Sequence, residues 1–170
     1  MNPTSDSLPE VSDIQLRFDA LPQDRITVRQ IVDSTGFFHA DEVDIAVELV
    51  DERLLKGESS GYHFIFMERD GRTIAYACFG PIPCTKHSYD LYWIAVHQDV
   101  QRLGLGRRLV ELSEQRIREL GGQRVYVDTS GREQYRPTRQ FYERCGYVRE
   151  ATLTDFYDVD DDEVIYVRMI

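Results

Sequence analysis

Two glycines, one residue apart, stand between an apolar run and a long amphipathic pattern in Gln101-Arg102-Leu103-Gly104-Leu105-Gly106. Glycines there permit a tight strand-to-helix turn. They equally permit a loop whose main-chain N–H groups converge on an anion at the amino end of the following helix. A nucleoside-triphosphate loop needs GxxxxGK[ST], and no Lys-Ser or Lys-Thr follows. A dinucleotide fingerprint needs a third glycine where this chain has Leu109. Arg102, Arg107 and Arg108 crowd the same turn, and residues 101–124 hold six arginines against three glutamates in a chain of net charge −10. Cations at a helix start oppose its dipole, and a bound anion offsets that cost.

Proton-handling groups are sparser. Asp90 alternates with Tyr92, Ile94 and Val96 in an apolar run, which predicts that it shares their face of a sheet. Asp128 ends Val125-Tyr126-Val127-Asp128, where an aspartate serves as turn cap or as base. His63 and His87 are further candidates. Residues 151–163 carry six acids and no Lys or Arg; either aspartate suits the turn there or the segment draws a cationic ligand. Cys78, Cys84 and Cys145 lack CxxC spacing and are odd in number, so neither a disulfide framework nor a metal site is indicated. The acidic balance, with a pI near 4.8, argues against nucleic-acid partners. No apolar run approaches the ~20 residues of a membrane span, and the polar start has no leader pattern. A cytoplasmic protein with no membrane partner is expected, and a homodimer is compatible with the sequence.

These groups need elements to position them. Residues 1–12 are Ser-, Pro- and Asp-rich and read as a flexible lead-in to a single domain over 13–170. Residues 14–18 alternate as a strand. Helical spacing follows over about 23–35 and 41–56, each closed by glycine. Residues 62–80 form two apolar runs across Asp70-Gly71, a hairpin signal. Strand 88–97, helix 105–120 and strand 124–130 make a right-handed βαβ unit with parallel strands. A short helix over 137–145 and a last hairpin complete an α+β chain: a mixed, mostly antiparallel sheet of about seven strands flanked by about four helices.

With this order in place, residues 101–106 match the Q/R-x-x-G-x-G/A motif of the GNAT superfamily of acetyl-CoA-dependent N-acetyltransferases, after a strand ending Ile94-Ala95-Val96. Phe141-Tyr142-Glu143-Arg144-Cys145-Gly146-Tyr147 resembles the family's hydrophobic-Tyr-x-x-x-Gly-aromatic segment. The resemblance implies a bulge in the strand over 88–97 and a wedge between the two parallel strands. Acetyl-CoA would be the cosubstrate there, on Ile94, Ala95, Val96, Gln101, Arg102, Leu103, Gly104, Leu105, Gly106 and Arg107. It also implies Tyr142 as acid toward the CoA sulfur and the Val96 N–H as oxyanion donor. Acyl transfer to an amine needs a neutral nucleophile, although alkyl amines are mostly charged at neutral pH. Asp128 corresponds to a glutamate base of some amino-terminal acetyltransferases, two residues farther from Tyr142 than in those enzymes, and Asp90 is its rival. Tyr135 stands where many members have Asn.

In this fold the acceptor pocket lies between the first helix connection, here Phe37 and Phe38, and the final hairpin turn, here with Tyr157. Residues 83–96 and 61–67 are similar to a bacterial subgroup associated with ATP-grasp amino-acid ligases, which implies a small amino-acid-like acceptor. The expected activity is transfer of an acetyl group to a primary amine, small and amino-acid-like or cationic, in a ternary complex. The alternatives are a protein amino-terminal or lysine acetyltransferase, or a non-catalytic acyl-CoA-binding module.

Overall fold

Asp70 and Gly71 both have positive φ, 52° and 72°, with Arg69 opposite Arg72. This is the two-residue turn whose twist matches paired strands. It joins strands His63–Arg69 (β2) and Arg72–Pro81 (β3). The computed structural model describes residues 13–170; the lead-in expected over 1–12 lies outside the described residues. Before the hairpin come Gln15–Arg17 (β1) and helices Asp24–Ser34 (α1) and Ala40–Lys56 (α2). After it come Ser88–Val96 (β4), Leu105–Glu119 (α3), Arg124–Ser130 (β5), Arg136–Arg144 (α4), Val148–Asp158 (β6) and Asp161–Met169 (β7). The seven strands lie in the order β1-β2-β3-β4-β5-β7-β6, and only β4 and β5 are parallel. The expected α+β architecture and βαβ unit are both present.

Alternation along the strands divides the core in two. Ile65, Met67, Ala75, Ala77 and Phe79 pack with Leu109, Val110 and Ile117 of α3 on one face. Phe64, Phe66, Tyr76 and Cys78 pack with Val28, Ile31 and Val32 of α1 and Val43, Ala46 and Val50 of α2 on the other. The Arg17 guanidinium fixes the sheet edge to α1, donating to both carboxylate oxygens of Asp24 (2.8 Å each) and to Glu68 Oε1 (2.7 Å). No helix among the described residues is long and apolar enough to cross a membrane.

The βαβ turn depends on one crowded glycine. Gly121 has φ 89°, and the Gly121 and Gly122 N–H groups donate to Arg118 O (2.9 Å) and Ile117 O (2.8 Å), the pattern of a Schellman cap. A Cβ on Gly122 would lie 2.2 Å from Ile117 Cγ2 and 2.8 Å from the Tyr89 ring. Gly122→Ala should therefore cost about 1–3 kcal/mol by overpacking, read as a lower midpoint in urea at unchanged m-value. An unshifted midpoint would show that Tyr89 yields freely.

Candidate active site

In the β3–β4 ladder Cys78 faces Trp93 but Phe79 faces Leu91, so Tyr92 is an extra, bulged residue. A bulge breaks the two-residue alternation. Tyr89 and Leu91 before it, and Ile94 and Val96 after it, all pack on the α3 side, whereas Trp93 and Ala95 pack on the α1–α2 side. Asp90, between Tyr89 and Leu91, therefore faces α1 and α2. This corrects the expectation that Asp90 shares a face with Ile94 and Val96: the extra residue Tyr92 resets the alternation between them.

Parallel pairing of β4 with β5 stops at Asp90 opposite Tyr126, so the strands part where β4 carries Ile94 to Val96. The His97 N–H donates to Ile74 O (2.9 Å), one residue outside the Ala75–Val96 pair. That pair is then of the kind whose own N–H and C=O point out of the ladder, and Ile94, two residues back, is its equivalent. Main-chain groups of Ile94 and Val96 thus face the gap left by β5. Ala95 turns its main chain into β3 and buries its methyl.

The loop after β4 is anchored by Gln101, whose Nε2 donates to Val96 O (3.2 Å). Gly104, the N-cap of α3, has φ 79°, and no side chain caps the helix and no acid occupies its first turn. Its first N–H groups have no partner inside the helix. Leu105 is buried and Leu103 packs on the core, so both offer an anion only main chain. Gly106 lies against α4, where a Cβ would meet the Phe141 ring at 3.4 Å, an ordinary contact distance. Arg102 is exposed with φ 67°, and Arg107, also exposed, reaches Glu111 at 3.0 Å.

The segment 141–147 is a helix cap in its own right. Gly146 (φ 89°) donates to Glu143 O and Tyr147 to Tyr142 O, each at 3.0 Å, which is a Schellman motif. The contact that accompanies such caps is here between the rings of Tyr142 and Tyr147, 5.6 Å apart, with Phe141 5.2 Å away on the other side. The cap thus fixes the Tyr142 ring in orientation. Burial pushes its phenol far above the usual range, with a smaller contribution from Cys145, so it stays protonated.

All this opens into a cleft of about 920 Å³ that passes through the sheet where β4 and β5 part. Tyr142 lines it from α4, Asp128 from β5, Phe37 and Phe38 from the α1–α2 connection, and Tyr157 from the last hairpin. Ile94, Ala95, Val96 and Gln101 form its β4 wall. Asp90 stays outside the lining but close behind: loss of water, and then the charge of Asp128, push Asp90 up to about 6. Desolvation also raises Asp128. His63 stacks on Phe79 at 5.5 Å, and exposed His87 lies 3.0 Å from Gly121 O through Nδ1; neither lines the cleft.

The sequence model of the acetyltransferase (GNAT) family matches residues 28–147. The chain belongs to the GNAT acetyltransferase family. A GNAT-family protein from Desulfovibrio desulfuricans is 47% identical, with TM-score 0.90 over 92% of this chain and 98% of that one. Two more distant structures share the fold. They are an aminoglycoside 6'-N-acetyltransferase complexed with coenzyme A (15% identity, TM-score 0.70, 92% and 96% covered) and a ribosomal-protein-alanine N-acetyltransferase from Brucella melitensis (18%, 0.73, 92% and 99%). No protein of curated function matches in sequence.

As in the rest of the GNAT family, acetyl-CoA is the cosubstrate. The uncapped, acid-free start of α3 suits its pyrophosphate, and the outward main chain of Ile94 and Val96 suits an amide-bearing arm. At the acceptor end the acids of the last hairpin divide by role. Asp155, Asp158 and Asp162 accept main-chain N–H groups of Asp160 (2.8 Å), Val159 (2.8 Å) and Asp155 (3.0 Å), which is turn chemistry. Asp161 instead is buried beneath the cleft, where Ser130 Oγ donates to it and Arg132 Nε lies 3.2 Å away. Glu163 accepts from the Tyr157 hydroxyl (3.3 Å). Trp93, Arg132, Asp161 and Glu42 also line the cleft. The acidic run points toward Asp161, and Arg132 stands in the segment 130–137 that carries the departure at Tyr135; nothing local points to Trp93 or Glu42.

Proposed function

We propose that the protein acetylates the nitrogen of a small primary amine, cationic or amino-acid-like, by direct attack within a ternary complex. The observation that carries this reading is that Tyr142 and Asp128 reach one cleft from different elements, Tyr142 with its proton held and Asp128 with no cation beside it among the described residues. Acetyl-CoA, when bound, supplies the thioester carbonyl. The first N–H groups of α3 hold its diphosphate, and the main chain of Ile94 and Val96 orients its arm. The Val96 N–H points into the gap as the donor for oxygen charge. Asp128 takes the ammonium proton, and Tyr142 gives a proton to the departing sulfur. Phe37, Phe38 and Tyr157 hold the acceptor.

Support for a cationic acceptor comes from the lining: Asp41, Glu42, Asp128, Asp158 and Asp161 face Arg132 alone among the cations, and Arg132 is engaged by Asp161. Purified protein, acetyl-CoA and a panel of diamines, amino acids and amino-terminal peptides, followed by thiol release, test the reading. CoA release with small cationic amines is expected. Release only with peptides would move the acceptor class, and CoA binding without release on any amine would reduce the protein to a binding module.

A further inference from the structure

Two loops meet across the cleft through aromatic rings. Phe37, in the α1–α2 connection, packs edge-on against Tyr135 at the N-cap of α4, with centroids 4.6 Å apart and planes at 74°. Phe38 packs against Trp93 of β4 at 4.8 Å, and Phe37 and Phe38 are 5.8 Å apart. Trp93, Phe38, Phe37 and Tyr135 therefore form a continuous run of rings from the sheet to the helix that carries Tyr142. All four line the cleft.

Both feet of this run are anchored. Thr35 Oγ1 accepts the Phe37 N–H (3.3 Å) while donating to Val32 O (2.7 Å). The His39 N–H donates to Glu42 Oε2 (2.8 Å) in a capping box that fixes the start of α2. Ser34 Oγ accepts the Gln98 N–H (3.2 Å), tying the end of α1 to the loop before α3. On the other side Arg139 donates to Ser130 O (2.7 Å) and Arg132 O (2.9 Å), and the Arg132 N–H donates to Ser130 Oγ (3.1 Å). The connection leading to Tyr135 is thereby held to β5.

Rings at this spacing are in van der Waals contact and leave no passage between them. We propose that the Phe37–Tyr135 contact is an arch that sets acceptor specificity, admitting a primary ammonium on an unbranched aliphatic stem and excluding one mounted on a ring or a branched carbon, so that an amino-acid-like acceptor enters by an unbranched side-chain amine rather than by its α-amine. This rests on the amine-acetyltransferase reading. A slender stem fits beneath the arch along the rings, whose faces attract an ammonium, toward Asp128, which has no cation beside it among the described residues. A bulky carbon next to the nitrogen must part the rings against two anchored loops. The same contact accounts for Tyr135 at a position where many GNAT members carry Asn: the ring is needed to meet Phe37.

The test compares kcat/KM for n-butylamine and cyclohexylamine with saturating acetyl-CoA. The wild type should favour n-butylamine by at least about tenfold. Tyr135→Ala and Phe37→Ala should bring the ratio toward one by raising kcat/KM for cyclohexylamine, a gain that misfolding cannot produce; Phe37→Leu gives the same direction with less loss of volume. Tyr135→Phe, which keeps the ring, should retain the wild-type ratio. Equal use of both amines by the wild type overturns the arch, as does a parallel loss of both in the alanine variants. CoA release with neither amine, nor with any other primary amine, overturns the underlying reading as well, which separates the two failures.

Discussion

Replacing Tyr142 by phenylalanine should lower kcat by about two to three orders of magnitude, with KM for acetyl-CoA nearly unchanged. The ring is held by Phe141, Tyr147 and the Gly146 cap, none of which uses the hydroxyl. The substitution therefore removes one O–H and little packing, and Tm should stay within a few degrees of the wild type. The hydroxyl matters only as charge collects on sulfur, which is why the loss falls on kcat. Because burial keeps this phenol protonated well beyond the ordinary range, wild-type activity should show no alkaline fall traceable to Tyr142. A variant with undiminished kcat would remove Tyr142 from the reaction.

What was legible beforehand follows from how local each signal is. Residues 101–106 and 141–147 each encode a backbone device within a few residues, a helix start with bare N–H groups and a Schellman cap, so their motifs survive as sequence. The Asp70-Gly71 turn and the βαβ unit are local in the same sense. The family resemblance implies a bulge within residues 88–97 but not its position, and the face of Asp90 depends on that position. Which residue of the strand is extra depends on pairing with β3, and no property of Tyr92 alone reveals it. Phe37 with Tyr135, and Ser130 and Arg132 with Asp161, are contacts between segments remote in sequence. They become visible only once the sheet has brought the loops to one end. The acidic hairpin shows both cases together, since three of its aspartates serve the local turn while Asp161 serves the distant β5–α4 connection.

Asp128→Asn should reduce kcat/KM about a hundredfold at pH 7, and the loss should shrink as pH rises. An alkyl amine well below its pKa gains about tenfold in free base per pH unit, so a variant lacking the base recovers where solvent has done the deprotonation. The wild type should lose activity on the acid side at a pH above the ordinary carboxylate range, because loss of water favours the protonated form of Asp128. Asp90 lies outside the cleft lining, and loss of water and then the charge of Asp128 push it up to about 6. The rise of Asp128 comes from loss of water rather than from Asp90, so Asp90→Asn should leave the acid limb near its wild-type position, with kcat/KM at pH 8 little changed. Rate measurements from pH 5 to 9 on both variants separate the two carboxylates. An acid limb that disappears in Asp90→Asn, or an Asp128→Asn profile parallel to wild type at full height, would transfer the proton-accepting role from Asp128 to another group or to solvent. The bulge at Tyr92 gives the arrangement its logic: by turning Asp90 to the α1–α2 face and out of the cleft lining it leaves Asp128 as the carboxylate that reaches the acceptor, and loss of water around Asp128 favours its taking a proton from an ammonium ion.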